Sequence, residues 1–320
     1  MKRNLSGPFY LLLPLFFLSA CSPIKPSVDS DKPYEFIRGA VIKDDDGFTI
    51  TPCFSQTKRQ LVDTSGLLSR RYNEQSPTSR LPVYMELWAY QQVDLAWNLY
   101  GVNLAGGGSK ACDTDLRNVE YRAGGVNPVW VADVFGDHIR VEIIHELRSM
   151  TFPISESPSL PFTWQSSITG IKGRTHDLEM QFRRQTCRDA VGAWYPLVAE
   201  VNLDGKVLKG CAREGDLMSR SIPGRYSNDL APDESFVVLD LLVGHQAKLL
   251  VDYRNGQPLS ILEGNWQLNK SGRLELNFVS VNGLAQQTIL VMQRSAKGAL
   301  VPYGYSEIFG NASLALERSE

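Results

Sequence analysis

Alternation of apolar and polar residues dominates this chain, and it is the pattern of strands with one buried face. Leu197, Ala199, Val201 and Leu203 alternate with Val198, Glu200 and Asn202; Asp204-Gly205 then precedes Val207 and Leu208. Asp-Gly between alternating runs is the favoured two-residue hairpin turn, because both central positions tolerate positive φ. Leu178, Met180 and Phe182 share one face, and Glu179, Gln181 and Arg183 share the other. Val93, Leu95, Trp97 and Leu99 alternate with Asp94, Ala96, Asn98 and Tyr100. Further strands are expected over 58–62, 81–88, 129–135 and 139–144. One short helix is expected in the first region, N-capped by Thr64 or Ser65 and running through Tyr72.

Breaks in the alternation divide the chain. Residues 34–116 read as strands, one helix and more strands, the layout of an OB-like barrel, and Gly106-Gly107-Gly108 interrupts them. Residues 117–215 form a second β domain. Residues 216–234 lose the pattern and gain Pro, Gly and charge, which reads as a linker. From 235 to 320 a meander resumes, with Leu249, Val251 and Tyr253 leading to Asn255-Gly256, and Asn282-Gly283 turning into 287–292. Such turn spacing predicts a small antiparallel barrel. The expected fold is all-β: three small antiparallel β-barrel or OB-like domains after a lipoprotein signal peptide.

The first residues break this pattern. Lys2 and Arg3 precede an apolar run from Phe9 to Leu18, too short to span a bilayer and suited to a secretory signal over 1–20. The run ends Leu18-Ser19-Ala20-Cys21, which resembles the lipobox of bacterial lipoproteins. The resemblance implies cleavage before Cys21, diacylglycerol on its sulfur and acylation, typically palmitate, of the new amino terminus. Two or three acyl chains anchor stably where one is marginal. Ser22 stands where the inner-membrane retention signal is usually Asp. The resemblance therefore implies an outer-membrane anchor facing the periplasm, if the source has two membranes. Residues 21–33 carry the lipidated Cys and a tether rich in Pro, Ser and charge. Loss of Lys2 and Arg3 would take the formal charge from −2 to −4.

Composition narrows the chemistry. At 43% hydrophobic and 21% charged residues, the chain is too apolar for disorder and too polar for a multi-span membrane protein. No basic excess points to nucleic acid. After Cys21, four cysteines remain: Cys53, Cys112, Cys187 and Cys211. An even number in an exported chain suggests disulfides, and Cys53–Cys112 with Cys187–Cys211 keeps each bridge within one domain. The second closes a loop of about 24 residues, worth roughly 3 kcal/mol by chain entropy. None of the four lies in a C-x-x-C arrangement, and the histidines at 138, 145, 176 and 245 are scattered, so no metal site and no cofactor are expected.

Several segments resemble envelope lipoproteins. Glu263-Gly264, Trp266 and the run Lys270-Ser271-Gly272-Arg273-Leu274-Glu275-Leu276 resemble the amino-terminal barrel of the NlpE copper-resistance lipoproteins and META/HslJ-like proteins. Ile37-Arg38-Gly39, Phe48 to Pro52-Cys53, Leu68 to Tyr72, and Leu81-Pro82-Val83-Tyr84-Met85-Glu86-Leu87 resemble the other, OB-like NlpE domain, with the domain order reversed. Tyr121-Arg122-Ala123-Gly124-Gly125-Val126-Asn127-Pro128-Val129-Trp130, Cys187-Arg188-Asp189, Trp194-Tyr195-Pro196 and Gly210-Cys211 resemble a widespread envelope-lipoprotein domain. The C-x-x-C pair of the NlpE barrel is missing after 235, so the resemblance implies an envelope lipoprotein without carrying copper binding to it.

No catalytic constellation emerges, and the chain is not expected to be an enzyme. Asp44-Asp45-Asp46 before Gly47 lacks the further ligands of a calcium loop. Gly106-Gly107-Gly108-Ser109-Lys110 lacks phosphate-loop spacing. His145-Glu146 lacks a second histidine, and His176-Asp177, with Ser166 and Ser167, lacks a nucleophile elbow. Trp130, Trp164 and Trp194 suit a β core, with a ligand face as the sharper reading for Trp130, Trp194 and Tyr195. Arg183, Arg184 and Arg188 suit a solvated strand face, with an acidic partner or lipid head groups as the alternative. The expected function is a periplasmic binding or sensing body, in envelope stress or metal homeostasis. A protein inhibitor or assembly factor, and a small apolar ligand binder, are the alternatives. The expected partners are the membrane, through Cys21, and a periplasmic protein or small ligand, with no nucleic acid.

Overall fold

The structure, a computed structural model, describes residues 34–319 apart from 77, 79, 92–95, 109, 115, 155–161, 172, 229–234, 296–297 and 311–313. The expected leader, Cys21 and the tether lie outside the described residues, as does the 93–95 part of the predicted alternation. The described residues from Tyr34 onward form one unit built of β-barrels.

The first lobe comprises β1 (Glu35–Asp44), β2 (Gly47–Pro52), β3 (Arg59–Val62), α1 (Leu67–Gln75), β4 (Val83–Gln91) and β5 (Trp97–Ala105). Strand β1 pairs with both β2 and β4, β2 with β3, and β4 with β5; parallel pairing of β3 with β5 closes the ring. Five strands with a helix between the third and fourth is the OB arrangement. Helix α1 differs from expectation at its start. Gly66 takes the left-handed cap position, Ser65 accepts a hydrogen bond from the Leu67 N–H at 3.2 Å, and Asp63 accepts one from Ser69 at 2.8 Å.

The middle lobe comprises β6 (Tyr121–Val126), β7 (Val129–Val134), β8 (His138–Ile143), β9 (Arg148–Pro153), β10 (Phe162–Thr169), β11 (Thr175–Arg188), β12 (Trp194–Leu203) and β13 (Lys206–Glu214). They pair in the order β9-β8-β7-β6-β13-β12-β11-β10. The two ends approach each other where the Ser166 hydroxyl donates to the Pro153 carbonyl at 2.6 Å. Among the described residues this is a nearly closed eight-stranded barrel. Alternation fills it with Trp130, Ile139, Val141, Phe152, Trp164, Met180, Phe182, Ala199 and Val201. The Asp204-Gly205 turn has positive φ at both residues, 54° and 82°, as its sequence predicts.

The third lobe comprises α2 (Leu217–Ser221), β14 (Gly224–Ser227), β15 (Phe236–Leu241), β16 (Gln246–Asp252), β17 (Ser260–Leu268), β18 (Leu274–Val281), β19 (Leu284–Arg294), β20 (Leu300–Pro302) and β21 (Glu317–Ser319). They form an eight-stranded sheet that closes where Leu300 and Leu316 exchange hydrogen bonds at 2.8 Å. This lobe begins before residue 235, which corrects the linker reading of 216–234. Leu217, Ile222 and Tyr226 are buried, and β14 pairs with β15 and β21. Three apolar side chains without periodic spacing gave no signal of a strand among the Pro, Gly and charged residues.

The lobes share structure. Trp194 at the start of β12 pairs with Ala105 at the end of β5, making one sheet of the first two barrels, and its indole packs in the first core. Beside this seam Glu86, fully buried, accepts hydrogen bonds from Tyr84 and Asn103, each at 2.9 Å, and pairs with Arg213 of β13. The disulfides Cys53–Cys112 and Cys187–Cys211 are both formed. Among the described residues no helix is long and apolar enough to cross a membrane.

Candidate ligand-binding site

Strand parity builds a site at one end of the middle barrel. On β11, Leu178, Met180 and Phe182 face inward, and the same parity brings Arg184 to the rim. On β13, Leu208 and Ala212 face inward, and Glu214 follows. The ladders set Arg184 opposite Leu197 and Glu214 opposite Tyr121. An inward face that is apolar for most of its length thus ends in a rung of Tyr121, Phe162, Arg184, Leu197 and Glu214. These residues, with Gln185, Thr186, Trp194 and Pro196, line a cavity of about 310 Å³.

The rim is shaped by Pro196. Proline has no N–H to give a ladder, and within sheets it sits at edges or bulges. Here Gln185 and Thr186 stand opposite Pro196 alone, between the Arg184–Leu197 and Cys187–Tyr195 pairs. A bulge of this kind bends a strand and re-aims its side chains, and bulges concentrate at barrel rims. The Cys187–Cys211 bridge ties the strand directly beyond it.

The floor is aromatic. Tyr121 lies 5.0 Å from Phe162 and 5.9 Å from Phe182, ring centre to ring centre; Trp164 stacks on Phe162 at 5.9 Å and meets Phe182 edge-on at 5.1 Å. Among the described residues the buried indole N–H groups of Trp164 and Trp194 have no acceptor. Burial, reinforced by the Glu214 carboxylate, raises the Tyr121 phenol above its usual range, so its hydroxyl keeps its proton. Glu214 is paired with Arg220 at 2.8 Å. The exposed Arg184 makes no ion pair among the described residues.

The opposite end of the barrel carries an ion cluster centred on Asp204. Asp204 accepts from Arg148 at 2.6 Å and from the Asp177 N–H at 2.9 Å, and meets His176 Nδ1 at 2.8 Å. His176 therefore pairs with Asp204, and the Ser166 hydroxyl is bonded elsewhere, to Pro153. Among the described residues no group of three His, Cys, Asp or Glu could hold a metal ion.

The residues singled out in sequence are only partly brought together. Arg184 and Trp194 line the mouth. Trp130 is 1% exposed inside the barrel, its indole donating to the Lys209 carbonyl at 3.3 Å, so it offers no ligand face. Tyr195 donates to Asp189 at 3.1 Å, and burial, then the Asp189 charge, pushes its phenol up to about 12. Arg183 lies on the outer face, 3.8 Å from Glu200. Arg188 reaches across to Glu74 of α1 at 2.9 Å. The three arginines thus form no cluster. Sequence reasoning missed Tyr121, Phe162 and Glu214 as site residues, although carrying the alternation of β11 and β13 one step further would have flagged the inward charges.

A larger cavity of about 610 Å³ lies between the first and third lobes, against Glu35, Trp97, Arg225, Asp240 and Arg318. Several of its charges are paired: Arg225 grips Asp240 at 2.7 Å, and Arg318 bonds the Ser221 carbonyl at 2.8 Å and lies 3.8 Å from Glu35. It reads as an interlobe seam. The chain matches no family model, no curated protein and no solved structure.

Proposed function

We propose that this chain is an outer-membrane lipoprotein whose periplasm-facing body binds a small, largely apolar molecule in the mouth of its middle barrel. One observation carries the binding reading: the inward face of the barrel opens at one end into an aromatic cup with a cation, Arg184, that makes no ion pair among the described residues. Cups of about 300 Å³ or more that combine apolar walls with a few polar groups are the usual form of small-ligand sites, and barrel mouths are a common place for them. The Leu18-Ser19-Ala20-Cys21 box supports the anchor. Envelope-stress or metal sensing, drawn from the NlpE resemblance, has less support, because that family's C-x-x-C pair has no counterpart here.

Two measurements test the proposal. Palmitate labelling of the full chain is expected to vanish in Cys21→Ala, and retained labelling would refute the anchor. Native mass spectrometry of protein released gently from its own envelope is expected to show a small-molecule adduct at one per chain; a uniformly empty body would count against the binding reading.

A further inference from the structure

We infer that the mouth selects an amphiphile bearing one anionic group, with Arg184 as its counter-ion. This rests on the reading of the mouth as a ligand site and adds the chemical class of its ligand. Arg184 stands on the inward parity of β11, two residues beyond the buried Phe182, at the rim of the cavity. The other arginines considered around it are committed: Arg183 lies near Glu200, Arg188 pairs with Glu74, and Arg220 pairs with Glu214. Glu214, the one acid lining the cup, is thereby neutralised by Arg220 rather than by Arg184. Among the described residues the cup therefore presents a single unspent positive charge above apolar walls.

A guanidinium offers a planar fork of donors that fits carboxylate, sulfonate or phosphate oxygens. The Tyr121 hydroxyl, which keeps its proton, adds a neutral donor to the lining of the cup. An apolar body lying on Tyr121, Phe162 and Trp194 with its head on Arg184 would satisfy both halves. A cavity of about 310 Å³ holds one short chain or a body of two or three rings and excludes a two-chain phospholipid.

The test compares phenylnaphthylamine with anilinonaphthalene sulfonate, the same body with and without an anion, by fluorescence titration of the full-length protein. Arg184→Gln is expected to weaken the sulfonate roughly ten-fold, the scale of one charge-assisted hydrogen bond, while leaving the neutral probe within about two-fold. Arg184→Lys is expected to recover part of the loss. Octanoate is expected to displace the sulfonate, whereas inorganic phosphate is not. Thr186→Trp, an exposed rim position, is expected to block both probes. If the neutral probe binds and Thr186→Trp blocks it, yet Arg184→Gln leaves the sulfonate unchanged or weakens both probes equally, the anionic class is wrong and the mouth remains a ligand site. Displacement by phosphate as effective as by octanoate would also overturn it. If neither probe binds the wild-type chain, the reading of the mouth and the inference fall together.

Discussion

Asp204 sits in the left-handed turn between β12 and β13, and its carboxylate gathers His176, Arg148 and the Asp177 N–H. Burial pushes its acidity the other way, but these hydrogen bonds outweigh it and hold the group at about 2. A carboxylate with a folded value below its unfolded one, about 3.9, stabilises the fold above that pH. The contribution is lost as pH falls from about 4 towards 2. Asp204→Asn is expected to lower the melting temperature at pH near 7 and flatten its decline across that acid window; an unchanged acid limb would contradict this. The turn was legible, because Asp-Gly between alternating runs has one good solution. The ion cluster was not, because Arg148 and His176 lie 56 and 28 residues from Asp204 and meet it only once the barrel closes. In the same way, sequence proximity grouped Arg183, Arg184 and Arg188, while strand parity and the bulge sent them to three surroundings.

Between β6 and β13 the backbones approach closely over Trp130. A Cβ on Gly210 would lie 2.0 Å from the Gly124 carbonyl oxygen and 3.0 Å from the Trp130 ring; one on Gly125 would lie 2.4 Å from the Lys209 carbonyl. Neither backbone atom can yield without parting the strands. Gly210→Ala is accordingly expected to destabilise by more than about 2 kcal/mol, read by urea denaturation, and a neutral effect would show that the strands do not run this close. The disulfides act on the elements through the unfolded chain. Opening Cys53–Cys112, with a separation of 59, is expected to cost more than opening Cys187–Cys211, with a separation of 24. Chain entropy puts the two at roughly 4 and 3 kcal/mol, and denaturation of the paired Cys→Ala variants orders them. Most strands were legible as alternation. Strand β10 was not, because Ser166 interrupts its inward face of Phe162, Trp164 and Ile168; nor was the Pro196 bulge, since the proline reveals a missing N–H without revealing its partner.

At the scale of the molecule, the first two of the three barrels are joined by a shared sheet and by Glu86, which lies in the first lobe and pairs with Arg213 of the second, while the third barrel keeps a sheet of its own. Removing one partner of a buried, hydrogen-bonded ion pair leaves the other charge without compensation, at about 3–5 kcal/mol. Glu86→Ala is expected to destabilise the body on that scale, and a loss below about 1 kcal/mol would show that the lobes do not depend on this pair. The all-β class and the presence of three β units followed from patterning alone. The start of the third lobe did not, since Ile222 and Tyr226 acquire their meaning from the barrel they fill, and Leu217 from the small cluster it forms with Phe36, Leu116 and Val119. The mouth of the middle barrel is proposed as the ligand site of the whole molecule. The most direct test is titration of phenylnaphthylamine into the wild-type chain and into Thr186→Trp, with matched melting temperatures as the control for folding. Saturable binding at one probe per chain, quenching tryptophan emission, and its loss in the variant are expected; unsaturable binding, or binding that Thr186→Trp leaves intact, would rule out a ligand site in the mouth.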